Sequence, residues 1–210
     1  MTEKLMDGSC GDFARALAAK SSIPGGGGAS AYAGALAAAL CGMAGNFTVG
    51  KKRYADVEED ILRLLDEAEA ARKRLLDLVD EDARAFEPLS RAYGIPRDDP
   101  RRADVVEEAT KAACLPPLAT MEECGKVIVL LEEMGRKCSA LLVSDIACGA
   151  YLAQAALYAS HANVLVNTRS LSDAAWAREK EARCEALAGE YGPRAQACAQ
   201  TALSKICGGE

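Results

Sequence analysis

Two long stretches almost without charge constrain the fold of this chain more than any other feature. Residues 21–50 carry no charged side chain, and residues 138–168 carry only Asp145. A helix that is apolar on all sides is normally buried among other helices or in a membrane. A membrane-spanning helix needs about 20 strongly apolar residues with aromatic and basic residues at its ends, whereas these stretches are rich in Ala, Gly, Ser, Cys and Asn. We therefore expect two fully buried helices in a bundle and no membrane span.

Small residues in the first stretch favour close packing of helices. Gly34, Ala38 and Gly42 follow at four-residue spacing, which places them on one helix face and lets a second backbone approach. If the other helices of one subunit do not cover both charge-free helices, a second copy of the chain would do so. The expected assembly is a homodimer.

The rest of the chain also has helical patterning. Alanine, leucine and glutamate dominate, and apolar residues recur every 3.6 residues, most clearly over residues 55–93. The predicted fold class is all-α, a helical bundle with long buried helices. Helices are expected over residues 10–19, 29–47, 55–93, 100–113, 117–134, 140–163 and 172–191, the last continuing after Pro193. Pro88 predicts a kink, and the pairs Pro116-Pro117 and Gly192-Pro193 predict breaks or bends.

Length and charge narrow the class of protein further. A chain of 210 residues is expected to form one domain, residues 1–210, around one core. The net charge of −6 supplies no basic surface for phosphate backbones, so nucleic acid is not an expected partner. The N-terminal residues lack the apolar segment behind a basic lead that marks a secretory signal, which predicts a cytoplasmic protein.

The cysteines fit the same compartment. A cytosolic chain with nine cysteines is expected to keep them as reduced thiols. No two of them have CxxC spacing, and the single histidine, His161, has no acidic or cysteine partner at helical spacing. We expect no metal site and interpret most of the cysteines as small buried apolar residues.

A run of four glycines, Gly25 to Gly28, follows Pro24 and precedes a predicted helix. The first N–H groups of a helix lack intrahelical partners, and glycines let a ligand approach them. No GKS or GKT follows the run and no strand precedes it, which excludes a nucleotide P-loop and a Rossmann fingerprint. Two interpretations stay open, an anion-binding loop and a flexible lead that packs closely.

Two aspartates lie where apolar neighbours make a carboxylate costly to bury. Three roles are open for Asp145. It caps a helix that begins after Ser144, it pairs with an arginine from a distant helix, or it accepts adjacent N–H donors of a ligand. Asp82 falls three residues after Val79 and four before Phe86, on the inward edge of the long predicted helix. A structural salt bridge and a functional carboxylate are both open for Asp82.

The segment GKKRY, residues 50–54, places three cations after the first charge-free helix. Lys51, Lys52 and Arg53 complement the dipole at the end of that helix, or they hold an anionic tail or supply a proton. The segment NVLVNTR ends the second charge-free stretch. Two roles are open for its asparagines, Asn163 and Asn167. They cap the end of the helix, or they line a polar pocket together with Asp145 of the same charge-free stretch.

Five motifs in order resemble the cyclodeaminase/cyclohydrolase family of tetrahydrofolate enzymes. That family includes the C-terminal domain of formimidoyltransferase-cyclodeaminase and the stand-alone bacterial methenyltetrahydrofolate cyclohydrolases, and the resemblance covers nearly the whole chain. The motifs are PGGGGA (24–29), TVGKKRY (48–54), VDEDARAF (79–86), SD (144–145) and NVLVNTRSLSD (163–173). The resemblance implies a helical subunit that dimerises around long buried helices, with folate in a groove near the subunit interface.

The resemblance implies an enzyme with one of two activities. A cyclohydrolase hydrolyses 5,10-methenyltetrahydrofolate to 10-formyltetrahydrofolate, and a cyclodeaminase cyclises formiminotetrahydrofolate and releases ammonia. The stand-alone cyclohydrolases resemble PGGGGA, whereas cyclodeaminase domains usually have serine where this chain has Gly28. The expected function is therefore the cyclohydrolase, with the cyclodeaminase and a non-catalytic folate-binding helical protein as alternatives.

The same resemblance implies roles for the motif residues. Asp145 would accept the paired N–H donors of the pterin ring, and Lys51, Lys52 or Asp82 would handle protons. The glycine run would steady the oxygen that develops on the attacked carbon, and the cations would bind the glutamate tail, polyglutamylated or not. No permanently bound cofactor is expected, because tetrahydrofolate is the substrate. The expected catalytic residues are Lys51, Asp82 and Asp145, and the expected substrate-binding residues are Pro24, Gly25, Gly26, Gly27, Gly28, Lys52, Arg53, Tyr54, Ser144, Asn163, Asn167 and Arg169.

Overall fold

A computed structural model describes residues 5–208 of the chain, and within them every regular element is a helix. The six α-helices are α1 (Cys10–Ala18), α2 (Gly26–Asn46), α3 (Glu58–Ala92), α4 (Arg102–Lys137), α5 (Val143–Thr168) and α6 (Ala174–Ile206). Short 3-10 turns precede α1, α3 and α5. The predicted all-α class is confirmed.

The helices form a bundle around one main apolar core. Helices α2, α3, α4 and α5 pack in a ring, each on the next with α5 closing onto α2, and α6 packs along α5 and α4. All six helices contribute buried side chains to the core, among them Phe13, Ala31, Ile61, Met121, Ile146 and Cys184. A smaller apolar cluster joins Leu89 near the end of α3 to Ala109 and Ala113 of α4.

Helix α2 begins inside the glycine run, three residues before the predicted start at residue 29. Gly25 is its N-cap, and Gly26, Gly27 and Gly28 form its first turn. The interpretation of these glycines as a flexible lead is therefore wrong. Neighbouring side chains leave no room for a Cβ atom at position 27 and little room at position 26, which agrees with the close packing that was also predicted for this run.

The prolines do not break the helices. Helix α4 continues through Pro116 and Pro117, so the two separate helices predicted over residues 100–113 and 117–134 are wrong. Helix α6 continues through Pro193, as predicted. At Pro117, one side chain supplies the hydrogen bond that the proline removes from the helix. The Nδ2 of Asn167 donates to the carbonyl of Ala113 at 3.3 Å.

The two charge-free helices are covered on one side only. By length and composition both could cross a membrane, and in each about half of the most apolar window is buried inside the bundle. Leu36 and Phe47 of α2 are 41% and 56% exposed, and Val166 of α5 is 67% exposed. The expectation of full burial is wrong for a single subunit, which leaves open apolar faces on α2 and α5.

Candidate functional site

A cavity of about 200 Å³ opens where the start of α2 meets α3, α4 and the end of α5. Its polar lining comes from the first turn of α2, from Asp82 of α3, and from Asn163 and Asn167 of α5. Its apolar lining is Ile23, Ala83, Phe86, Ala113, Pro117 and Val166. The cavity thus combines an apolar slot with a few converging polar groups, the usual composition of a small-molecule site.

Asp82 is held against the first turn of α2. Its Oδ2 accepts a hydrogen bond from the Gly28 N–H at 2.9 Å, and no lysine or arginine within residues 5–208 forms an ion pair with it. Burial raises the pKa of Asp82, and the Gly28 hydrogen bond partly opposes that rise. A carboxyl group with a raised pKa beside a cavity is a candidate for proton transfer. The structural salt bridge that was the alternative for Asp82 is absent from the described residues.

The close approach of these side chains requires a glycine at position 27 and leaves little room for a side chain at position 26. A Cβ at position 27 would overlap the Asp82 carboxylate, and a Cβ at position 26 would lie 3.1 Å from the Asn163 Oδ1. A Cβ at position 28 would make only ordinary contacts, the nearest at 3.5 Å from Val79. Gly26 and Gly27 therefore shape the site, and Gly28 contributes its N–H.

Both asparagines use their amide NH₂ groups within the protein. The Nδ2 of Asn163 donates to the carbonyl of Ala159 at 2.8 Å, and the Nδ2 of Asn167 donates to the carbonyl of Ala113 at 3.3 Å. Each Oδ1 keeps its capacity to accept a hydrogen bond, and both residues line the cavity. Together with the free Asp82 oxygen, they suit a ligand that carries N–H or O–H donors.

The other predicted site residues lie at the far end of the bundle. Lys51, Lys52 and Arg53 follow the end of α2, whose 21 residues span about 30 Å. Asp145 lies in the first turn of α5, 18 residues before Asn163, which is about 27 Å along the helix. In one subunit Asp145 does not share a pocket with the asparagines, and since α5 begins at Val143 it is not a cap either.

A second cavity, of about 410 Å³, lies at that far end. Arg53, Arg136 and Lys205 contribute cationic side chains to its lining, and Tyr54 also lines it. The Tyr54 hydroxyl accepts a hydrogen bond from the Ala140 N–H at 3.3 Å. Hydrogen bonds from Ser139 and then Ala140 lower the pKa of this hydroxyl.

The remaining predicted residues line neither cavity. Ser144 is exposed in the first turn of α5, and Arg169 is exposed directly after α5. Pro24 is buried just before the glycines. The end of the last motif is structural, because Asp173 caps α6 by accepting the Trp176 N–H at 3.1 Å.

Sequence reasoning missed the apolar side of the first cavity. Phe86 could have been found, because it lies four residues after Asp82 and therefore on the same helix face. Ala113 and Pro117 could not have been found, because separate helices were expected to end at residue 113 and to begin at residue 117. Their common face along one continuous helix was therefore not predicted.

The chain is similar to known proteins over most of its length. A family profile described as formiminotransferase-cyclodeaminase matches residues 9–186. A methenyltetrahydrofolate cyclohydrolase of Methylorubrum extorquens is 36% identical over 198 residues, which is 92% of this chain and 95% of that protein. The formimidoyltransferase-cyclodeaminase of Mus musculus is 30% identical over 88% of this chain, but the match covers only 35% of the mouse protein.

One solved structure has the same architecture. The crystal structure of formiminotetrahydrofolate cyclodeaminase from Thermotoga maritima superposes with a TM-score of 0.83 at 28% identity. The match covers 95% of this chain and 99% of the Thermotoga chain. The similarity thus extends to the whole helical bundle and includes all of the elements that surround the first cavity.

Proposed function

The chain belongs to the formiminotransferase-cyclodeaminase family, and from that premise we propose that it is a methenyltetrahydrofolate cyclohydrolase. The observation that carries the proposal is the match to the Methylorubrum cyclohydrolase, which covers nearly all of both proteins. The proposed reaction is the hydrolysis of 5,10-methenyltetrahydrofolate to 10-formyltetrahydrofolate. Tetrahydrofolate is the substrate, and the proposal includes no permanently bound cofactor.

The first cavity supplies the groups that this reaction requires. Water bonds to the carbon between the two folate nitrogens and gives up a proton, which Asp82 accepts. When the intermediate collapses, the bond from this carbon to N5 breaks, the hydroxyl proton leaves as the formyl C=O forms, and N5 takes up one proton. One proton is released to solvent overall, so Asp82 returns to its starting state.

The start of α2 supports the developing oxygen. The N–H groups of Gly26 and Gly27 have no intrahelical acceptor, because they lie in the first turn of the helix. They are positioned beside Asp82 and donate to the oxygen on the attacked carbon, where the helix dipole adds to the effect. This assigns the proton transfer to Asp82 rather than to Lys51, which lies about 30 Å away along α2 in the same subunit.

The purified protein mixed with 5,10-methenyltetrahydrofolate tests the proposal. We expect the absorbance of that compound to disappear, and we expect Asp82→Asn to lower kcat by about 100-fold or more, the effect of removing a general base. If the absorbance stays unchanged and no ammonia is released from formiminotetrahydrofolate, the protein is the non-catalytic folate-binding alternative.

A cyclodeaminase is the second candidate. It is favoured by the Thermotoga structure, a formiminotetrahydrofolate cyclodeaminase whose match covers 95% of this chain and 99% of that chain. Release of ammonia from formiminotetrahydrofolate, with methenyltetrahydrofolate left intact, would establish that activity and overturn the cyclohydrolase proposal.

We also propose that the protein is a homodimer formed through the open face of α2. That face carries the exposed side chains of Leu36, Met43 and Phe47, and exposed apolar stripes of this kind mark protein interfaces. A two-fold axis across α2 sets the helix antiparallel to its copy, so the start of one α2 lies near the end of the other. The lysines of one subunit then approach the first cavity of its partner.

This arrangement accounts for the division of the predicted site residues between the two ends of the bundle. In the dimer, Lys51, Lys52, Arg53 and Asp145 come from one subunit and the glycines and Asp82 from the other, so the pterin and tail roles expected of the first group stay available. The cations suit the carboxylates of the glutamate tail, polyglutamylated or not. A cytoplasmic location completes the proposal and agrees with nine free cysteines.

A further inference from the structure

Two adjacent prolines inside α4 leave two backbone carbonyls without their usual donors. Because proline has no N–H, Pro116 cannot donate to the carbonyl of Ala112, and Pro117 cannot donate to the carbonyl of Ala113. Ala112 is an exposed residue on the outer side of the bundle. Ala113 is only 5% exposed, and a buried carbonyl needs a hydrogen-bond donor from the protein or from an ordered water.

Asn167 of α5 supplies that donor. Its Nδ2 donates to the Ala113 carbonyl at 3.3 Å, across the interface between α4 and α5. The Oδ1 and Nδ2 of a planar amide lie about 120° apart on one carbon, so an Nδ2 held on the Ala113 carbonyl also fixes the direction of the Oδ1. Asn167, Asp82 and Pro117 line the same cavity.

We propose that Pro117 is a positioning residue: by leaving the Ala113 carbonyl unpaired, it holds the Asn167 amide with its Oδ1 available to accept an N–H of the pterin ring. A non-proline residue at this position would donate to Ala113 itself, and the Asn167 amide would be free to rotate or flip. The inference rests on the proposed folate substrate, because the pterin supplies the amide and amino N–H donors.

Pro117→Ala tests the proposal, with Pro116→Ala as the matched control. Both remove the same ring atoms from buried positions of one helix, but Pro116 does not line the cavity and its carbonyl partner is exposed. We expect Pro117→Ala to raise KM about three- to tenfold with kcat retained, the cost of one substrate hydrogen bond. Pro116→Ala should leave KM unchanged.

A double-mutant cycle with Asn167→Ala separates this effect from the loss of the proline ring as a cavity wall. If Pro117 acts through Asn167, Pro117→Ala should not change KM further once Asn167 is alanine. Pro117→Val also restores the N–H, so it serves as a second variant if the circular dichroism of Pro117→Ala shows that it does not fold. It should raise KM in the same way. Additive effects in the cycle, or equal changes in KM at the two prolines, overturn the proposal.

The same variants distinguish this inference from the proposed reaction. The Kd for tetrahydrofolate, measured by calorimetry, should rise for Pro117→Ala and not for Pro116→Ala, whether or not the protein turns over substrate. A wild-type protein that binds tetrahydrofolate but hydrolyses nothing would contradict the cyclohydrolase alone. Equal Kd values for the wild type, Pro117→Ala and Pro116→Ala would contradict the role of Pro117 and leave the proposed reaction untouched.

Discussion

At the scale of single residues, the site depends on the absence of a side chain at position 27. Gly27→Ala would place a methyl group on the Asp82 carboxylate and displace it from the Gly28 N–H. We expect kcat/KM to fall about 100-fold, the usual consequence of a small misplacement of a reacting group. Steady-state kinetics with 5,10-methenyltetrahydrofolate measures the fall.

Gly189→Ala is the control for this substitution, because a Cβ at position 189 of α6 meets no atom within 4 Å. Its activity should be unchanged, and its free energy of unfolding should rise by about 0.5–1 kcal/mol, since a glycine inside a helix is replaced. Equal activity of the two variants would show that the contact between residue 27 and Asp82 is not needed for catalysis.

Asp82 itself should make stability depend on pH in an unusual direction. Burial raises the pKa of this carboxyl above its usual 3.8, so the folded state favours the protonated form. The stability this contributes is present below the unfolded pKa and is lost as the pH rises through the folded pKa. Asp82→Asn removes the charge and keeps an acceptor for Gly28, so its Tm should exceed that of the wild type at about pH 7 and match it near pH 3.

Thermal unfolding at the two pH values checks this prediction. The control is Asp98→Asn, at an exposed aspartate in the connection between α3 and α4. This variant should show the same Tm difference between about pH 7 and pH 3 as the wild type. A lower Tm for Asp82→Asn at neutral pH would mean that the ionised carboxylate stabilises the fold.

At the scale of elements, one hydroxyl joins the connection after α2 to the connection after α4. The Thr48 side chain is 1% exposed, its Oγ1 donates to the Ala44 carbonyl at 2.7 Å, and it accepts the Ser139 N–H at 2.8 Å. Thr48→Val leaves the buried Ser139 N–H without an acceptor. The expected loss is about 1–3 kcal/mol in the free energy of unfolding, measured with urea.

Thr110→Val is the matched control, because Thr110 is equally buried but donates only to the Val106 carbonyl of its own helix at 2.7 Å. No buried N–H loses its partner there, so the loss should be much smaller. Equal losses for the two variants would assign the effect to the threonine hydroxyl itself and not to the link with Ser139.

The sequence predicted most of these elements because their apolar spacing is local information. The long helix predicted over residues 55–93 is α3 within three residues at either end. The errors arose where distant contacts decide the outcome. Nothing near Pro117 in the sequence shows that Asn167 will bond to the carbonyl that the proline exposes, and nothing near Gly27 shows that Asp82 will pack against it.

At the scale of the molecule, the motifs were identified correctly as a set, but one subunit does not bring them together. The separation was itself predictable, because a helix expected over residues 140–163 already places Asp145 and Asn163 about 27 Å apart. Sequence order gave no indication of which residues belong to which subunit. Only the helix directions and the open face of α2 suggest how the two ends meet.

Complementation between subunits tests whether the site is shared. At a substrate concentration well below the wild-type KM, Asp82→Asn and the double variant Lys51→Ala/Lys52→Ala should each have little activity alone, the first through a lower kcat and the second through a higher KM. In a mixed dimer with a shared site, one of the two sites receives the intact aspartate from one chain and the intact lysines from the other. Random pairing makes half of the dimers mixed, so co-expression should restore about a quarter of the wild-type activity.

Leu36→Glu provides the control, because a charge on the open face of α2 should give a monomer by gel filtration and abolish the recovery. If each subunit held a complete site, the co-expressed pair would stay inactive, since every site would carry one of the two changes. Full activity of the lysine double variant alone would contradict a role for these lysines, and the first cavity would then act without the far end of the bundle.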